Sequence, residues 1–363
     1  MSIRNLIIGR LAVSAALIGA VAAALLVAPT AGYASGRAGA QPSGEHVAPI
    51  ALNQPDGLAT DAGNLWVTNR KAQSVTELSS TGSFIRTLQA KTYGFQSPSA
   101  IVSDRAHLFI ANRDDSITEV AASNGAFVRS IKGPSYDLRD PSAMVVSGGE
   151  LWVTDARGDS VTEVSAGTGR LVRVVRHNEG SPSGFDDPVA IASAGLDLFV
   201  ANLAGDSVTE IDASSGAVLK TISSSPYGFS RPAGIAYDGT NLWVSDSGAD
   251  QVTEFTASTD ALVQVVTNSS HNENYGFWSP ASIVALKSVV YVASPPGSSP
   301  MVTQIDTTNG WSNWMMCNTN YNFNFANPSA LALDGTHLWV ANEANNTLTE
   351  MNAKTGVLIT DVT

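Results

Sequence analysis

Six glutamates, Glu77, Glu119, Glu163, Glu210, Glu254 and Glu350, fall at one place in a repeating sequence. Six carboxylates in a ring could hold a metal ion, since hard cations take carboxylate oxygens. Their neighbours argue for a different role. Ser123-Asn124-Gly125 has the form of a three-residue hairpin loop with glycine at the left-handed position. Counting back through that loop sets Glu119 opposite Arg129. The same count sets Glu163 opposite Arg173 and Glu210 opposite Lys220, and a shorter Thr81-Gly82 turn still sets Glu77 opposite Arg86. Opposite-charge pairs across two strands stabilise a sheet by about 0.2–1 kcal/mol each. Where the glutamate becomes Gln304 its partner becomes Trp314, so both charges vanish together. These glutamates read as structural.

No other catalytic signature is present. The histidines are His46, His107, His177, His271 and His337, with no H-x-H, H-E-x-x-H or Cys/His cluster among them. There is no G-x-S-x-G nucleophile elbow and no phosphate-cradling G-x-x-x-x-G-K. The single cysteine, Cys317, excludes an intrachain disulfide, and no basic neighbour in sequence would activate its thiol.

The elements that carry these residues repeat seven times, from Pro55, Pro98, Pro141, Pro188, Pro232, Pro280 and Pro328, at spacings of 43, 43, 47, 44, 48 and 48 residues. Periods of about 40–50 residues built from four short apolar runs are the signature of β-propeller blades. The runs are rich in Val, Ile, Leu and Trp and are bounded by Gly, Asn, Asp and Ser, which is strand chemistry. We call the strands a to d from the channel outward. Strand b carries an aromatic (Trp66, Phe109, Trp152, Phe199, Trp243, Tyr291, Trp339) and then a short polar stop: Asn69, Asn112, Asp155, Asn202, Asp246, Ser294, Asn342. The stops suit a strand leaving into a turn. The expected fold is all-β, a seven-bladed β-propeller of four-stranded antiparallel blades.

Residues 1–34 stand apart. Arg4 and Arg10 precede the apolar run Leu11–Val27, and Gly32-Tyr33-Ala34 offers small residues for cleavage, which reads as a secretory signal peptide. An uncleaved anchor is the rival. Residues 35–54 read as a flexible linker followed by a ring-closing segment. Leu52 stands three residues before Pro55, where later units hold Phe95, Leu138, Phe185, Phe229, Phe277 and Phe325. The ring is expected to close between this segment and the C-terminal strand d, not by a strand shared between termini.

The chain is acidic, with a net charge of −12, and losing Arg4 and Arg10 with the leader would take it to −14. That balance argues against nucleic acid and anionic membrane surfaces as partners. The sixth unit departs most from the pattern, with Trp311, Trp314, Met315, Met316, Tyr321, Phe323 and Phe325 crowding its second half. This is either a recognition surface or, the reading preferred here, a blade repacking its own edge.

One face of a propeller carries the d-to-a and b-to-c connections. Here it would present Arg70, Lys71, Arg113, Asp114, Asp115, Asp206 and Asp250, with Tyr93, Tyr227 and Tyr275 from three Y-G-F loops and His177 and His271 from the third and fifth blades. The P-x-A/G-I-A and N-L-W-V-T-N phrases, covering residues 55–363, resemble the NHL and YVTN groups of β-propeller repeats. That resemblance implies an exported binding or scaffold module for a protein or cell-envelope ligand, without a cofactor. The N-L-W-V phrase is also similar to virginiamycin B lyase, a magnesium-dependent propeller with histidines and a glutamate over its channel. Of the histidines here, His177 and His271 are the two that could serve such a site. A gluconolactonase-like site would hold its metal with Glu, Asn and Asp at the channel mouth, where the strand-b stops could point. The alternative function is therefore a metal-dependent lyase or lactonase, using Mg or Ca on the same face.

Overall fold

The computed structural model describes residues 52–89, 91–176, 184–223, 225–270, 274–295, 300–309, 312–317 and 323–363. The expected leader at 1–34, the linker and most of the ring-closing segment lie outside them, as do His177 and His271. Over the described residues the protein is a seven-bladed β-propeller: seven separate antiparallel sheets, each of four strands in chain order. Strand a begins at the repeat proline in six blades and at Ser282 in the sixth, two residues after Pro280. Blade 1 (Pro55–Leu88) and blade 7 (Pro328–Val362) are each complete in themselves, so no strand is shared between the ends of the chain.

The hydrophobic core is divided into seven clusters, one at each junction between neighbouring blades. This follows from strand alternation: each blade is apolar on both faces and must bury both against neighbours. At the closing junction Leu52, Leu65, Val67 and Leu78 pack against Trp339, Leu348 and Val362. Polar contacts reinforce it. Ser329 Oγ donates to the Pro55 carbonyl at 2.9 Å, and the Gln54 N–H donates to Asn346 Oδ1 at 2.7 Å.

The last of these contacts belongs to a series. The residue before the repeat proline is left-handed in all seven blades (Gln54, Ser97, Asp140, Asp187, Arg231, Ser279, Asn327), with φ between 48 and 57°. In five of them its N–H is taken by a side chain from the preceding blade's b-to-c loop. The acceptors are Asn346, Asp115, Asp159, Asp206 and Asp250, at 2.7–2.9 Å. These acceptors are themselves left-handed, a conformation that Asn and Asp tolerate better than other side-chain-bearing residues.

The strand-c glutamates form a second series on the outer half of the blades. Glu77, Glu119, Glu163 and Glu210 are buried and face Arg86, Arg129, Arg173 and Lys220 across strands c and d, at 2.5–3.0 Å. The cations also reach the next blade. Arg86, Arg129 and Arg173 donate to the carbonyls of Asn124, Gly167 and Ser214 in its c-to-d turn. The turn glycines make that approach possible. A Cβ on Gly169 would stand 2.6 Å from Arg129 Cδ, and one on Gly216 would stand 2.5 Å from Arg173 Cδ. Blade 5 has Asp260 at the left-handed turn position instead, and Lys220 of blade 4 pairs with its carboxylate.

Candidate ligand-binding face

The strand-b stops do not reach the channel. Asn69, Asn112, Asp155, Asn202, Asp246, Ser294 and Asn342 are buried within their blades. The amides donate to strand-c threonines, as Asn112 does to Thr118 at 3.1 Å and Asn202 to Thr209 at 2.9 Å. The two aspartates reverse that bond: Thr162 and Thr253 donate to Asp155 and Asp246 at 2.8 and 2.9 Å. Burial pushes both aspartates up to about 7. A gluconolactonase-like set of metal ligands built on these stops is therefore not assembled.

The tyrosines expected on the ligand face are struts between blades. Tyr93 and Tyr227 stack on Phe95 and Phe229 at ring-centre distances of 5.3 and 5.4 Å. Their hydroxyls donate to the carbonyls of Gly125 and Asp260 in the next blade's c-to-d turn. Tyr275 is fully buried beside Phe277. Asp115, Asp206 and Asp250 are the blade-to-blade acceptors described above, and Asp114 accepts from Ser116 Oγ at 2.5 Å in its own loop. Lys71 is exposed on the first b-to-c loop. In the sixth blade, Met316, Phe323 and Phe325 are buried against blade 7, which is core packing. Trp311 and Tyr321 lie outside the described residues.

Arg70 and Arg113 remain: Arg113 lines a cavity of about 650 Å³ in the channel, and Arg70 stands beside Asp56, which lines it too. Strand a of every blade lines it. In six blades a bulge just after the proline puts one extra residue into strand a, and bulges re-aim side chains; Ala281 holds the matching place in the sixth. That position holds Asp56, Ser99, Ser142, Val189, Ala233, Ala281 and Ser329. The next residue is small, and Gly57 has to be: a Cβ there would stand 2.2 Å from the Ser99 carbonyl. Beneath, Leu58, Ile101, Met144, Ile191, Ile235, Ile283 and Leu331 make an apolar floor.

Asp56 is the one charge at the bulge position. Its Oδ2 is buried, lies 3.7 Å from Arg70 Nη1, and has no hydrogen-bond partner among the described residues. Arg70 is held mainly by Glu343, which Asn327 Nδ2 steadies at 2.7 Å. Desolvation raises the Asp56 pKa despite the opposing fields of Arg70 and Arg113. Arg113 is exposed at the rim, and its side chain makes no hydrogen bond or ion pair among the described residues. Sequence reasoning named both arginines and missed Asp56 and Glu343. The signal was available, because the residue after the repeat proline is acidic in the first unit alone.

Among the described residues, no group of three or more His, Cys, Asp or Glu is placed to hold a metal ion. His107 and His337 lie at the foot of strand b, between Asp104 and Glu119 and between Asp334 and Glu350 respectively.

No protein-family model matches the chain, and no curated protein matches it. Solved structures do. A chain of Kuenenia stuttgartiensis hydrazine synthase superposes with a TM-score of 0.67 at 16% identity, covering 87% of this chain and 100% of that one. A streptogramin B lyase structure gives 0.62 at 17% identity, covering 81% and 92%. A catalytically inactive virginiamycin B lyase from Staphylococcus aureus, with quinupristin, gives 0.64 at 17% identity, covering 81% and 94%. At these identities the likeness establishes a shared fold.

Proposed function

We propose that this protein is an exported binding propeller, of the NHL and YVTN kind in its repeats, that takes a protein or cell-envelope ligand at the mouth of its channel. The observation that carries this reading is Asp56. Burial raises its pKa, its Oδ2 has no hydrogen-bond partner among the described residues, and the ion pair with Arg70 at 3.7 Å offsets that desolvation only in part. The other bulge positions hold Ser, Ala or Val. Groups kept at such a cost are characteristic of binding sites.

The test is co-sedimentation with envelopes from the cells that encode the protein. Wild type is expected to sediment saturably, and a double variant with Asp56→Ser and Arg113→Ser to lose at least tenfold in affinity. Equal retention of the double variant would remove the mouth from the account. No sedimentation of wild type, and no partner retained from soluble extract, would remove the binding role.

A metal-dependent lyase or lactonase is the second reading, favoured by the likeness in fold to the streptogramin lyases. It predicts a saturable rise in melting temperature when Mg or Ca is restored after chelation. A flat response to both ions counts against it.

A further inference from the structure

Asp56, Ser99 and Arg113, on blades 1 and 2, line one cavity with no side-chain hydrogen bond among the described residues, and Asp56 has only the ion pair with Arg70 at 3.7 Å. Asp56 Oδ2 and Ser99 Oγ are buried atoms with no hydrogen bond among the described residues. They occupy the same bulge position in adjacent blades. Arg113 stands above them on the rim, solvent-exposed and without an ion pair. Its neighbour Arg70 is already engaged by Glu343. The wall below turns small and then apolar, through Gly57 and Ala100 to Leu58 and Ile101.

The chemistry of an occupant follows from these demands. Arg113, exposed and unpaired, offers a site to an anion, and a guanidinium favours a planar carboxylate that can accept two parallel bonds. Asp56 requires an N–H donor close beside that anion. Ser99 can serve either polarity. The floor requires an apolar group on the same small scaffold. A carboxylate, an N–H and an apolar side chain all attached to one carbon describe an α-amino-acid residue with its carboxylate free. Capture of a terminal carboxylate is an established mode of peptide recognition.

We propose that the channel mouth recognises a free α-carboxylate: the carboxylate lies on Arg113, the α-N–H on Asp56, and an apolar side chain points down the channel. This rests on the binding reading above and specifies its ligand. A peptide C-terminus and a free amino acid share this chemistry, and the cavity of about 650 Å³ has room for more than one residue.

The experiment is calorimetric titration of the full chain with three probes: N-acetyl-Ala-Ala-Leu, its C-terminal amide, and free leucine. Wild type is expected to bind the acid at least tenfold more tightly than the amide. Tighter binding of the tripeptide acid than of leucine identifies a peptide end as the source, and the reverse identifies a free amino acid. Arg113→Ser is expected to abolish the acid-over-amide preference, and Asp56→Ser to weaken acid and amide alike. Both variants alter the rim and the bulge, outside the junction cores, and the melting temperature of each checks its fold. Equal binding of acid and amide by wild type overturns the proposal, as does no binding of any probe at millimolar concentration. If all three probes fail while envelope co-sedimentation still depends on Asp56 and Arg113, the binding role survives and this ligand class falls.

Discussion

The first four blades and the last three solve the same packing problem differently. In blades 1 to 4 the buried strand-c glutamate is matched by a cation on strand d. In blade 5, Glu254 accepts instead from Gln264 and Asn241, both at 2.6 Å. In blade 6, Gln304 Nε2 donates at 2.5 Å to the hydroxyl of Tyr291, which donates in turn to the Ala353 carbonyl of blade 7. In blade 7, Glu350 faces Thr360 across the strands and has His337 beside it. What persists is a polar group buried at that place with a partner reaching it. The sign of the partner is free to change, and the neighbouring turn changes with it. Arginine lies over a glycine, whereas lysine meets Asp260, because a compact ammonium leaves room for a carboxylate that the broad guanidinium would displace.

The largest effect that tests this comparison is pH-dependent. Asp155 lies in the ionic half and Asp246 in the neutral half, in identical slots. Thr162 faces both Asp155 and the Tyr136 carbonyl but has a single hydrogen to donate. A protonated aspartate resolves that competition, as asparagine does in the other blades. Both folded pKa values, about 7, lie above the ordinary aspartate value of 3.8. Stability is therefore fully present below pH 3.8 and declines as pH rises towards 7, by about 1.4 kcal/mol per pH unit for each group. Asp155→Asn and Asp246→Asn should match wild type near pH 4 and melt above it at pH 7.5. A larger gain in one half than the other would mean that junction type influences the slot.

Arg129→Met leaves Glu119 buried without its cation and is expected to cost about 3 kcal/mol in urea unfolding. Gln264→Met leaves Glu254 its bond from Asn241 and is expected to cost about 1 kcal/mol. Equal losses would erase the distinction between the two halves. Next in size is Gly169→Ala, where left-handed strain adds to the clash with Arg129, for about 2 kcal/mol in all. Gly195→Ala has the same strain in open space and should cost about 1 kcal/mol. Adding Arg129→Ala should narrow that gap. Smallest is the coupling between Lys220 and Asp260, expected at about 0.5–1 kcal/mol in a double-mutant cycle because the lysine is partly exposed.

Much of the fold was legible in the sequence because the repeat is dense in signals: a proline before strand a, an aromatic in strand b, and hairpin loops whose length sets which residues face each other. Counting through Ser123-Asn124-Gly125 is enough to bring Glu119 to Arg129, since both lie within one blade. The partners in the next blade were not legible. Blade twist carries strand d over a turn about 40 residues away, and no local count shows that Tyr93 reaches Gly125 or that Asp115 accepts from Asp140. The same limit applied to the candidate face. Charges and tyrosines on loops are ambiguous until the neighbouring blade is in place, and most of them then have structural partners. Asp56 stood out as the one acid after a repeat proline, but its place on the channel was not legible, because the bulge there has no length signature of its own.

The most direct test of the account measures two properties of one protein, the Asp56→Ser, Arg113→Ser double variant. Its melting temperature at pH 7 and its binding to envelopes are compared with wild type. Because desolvation of Asp56 outweighs its pairing with Arg70, the account predicts an unchanged or higher melting temperature together with lost binding. A melting temperature lowered as far as that of Arg129→Met, or binding equal to wild type, would contradict it.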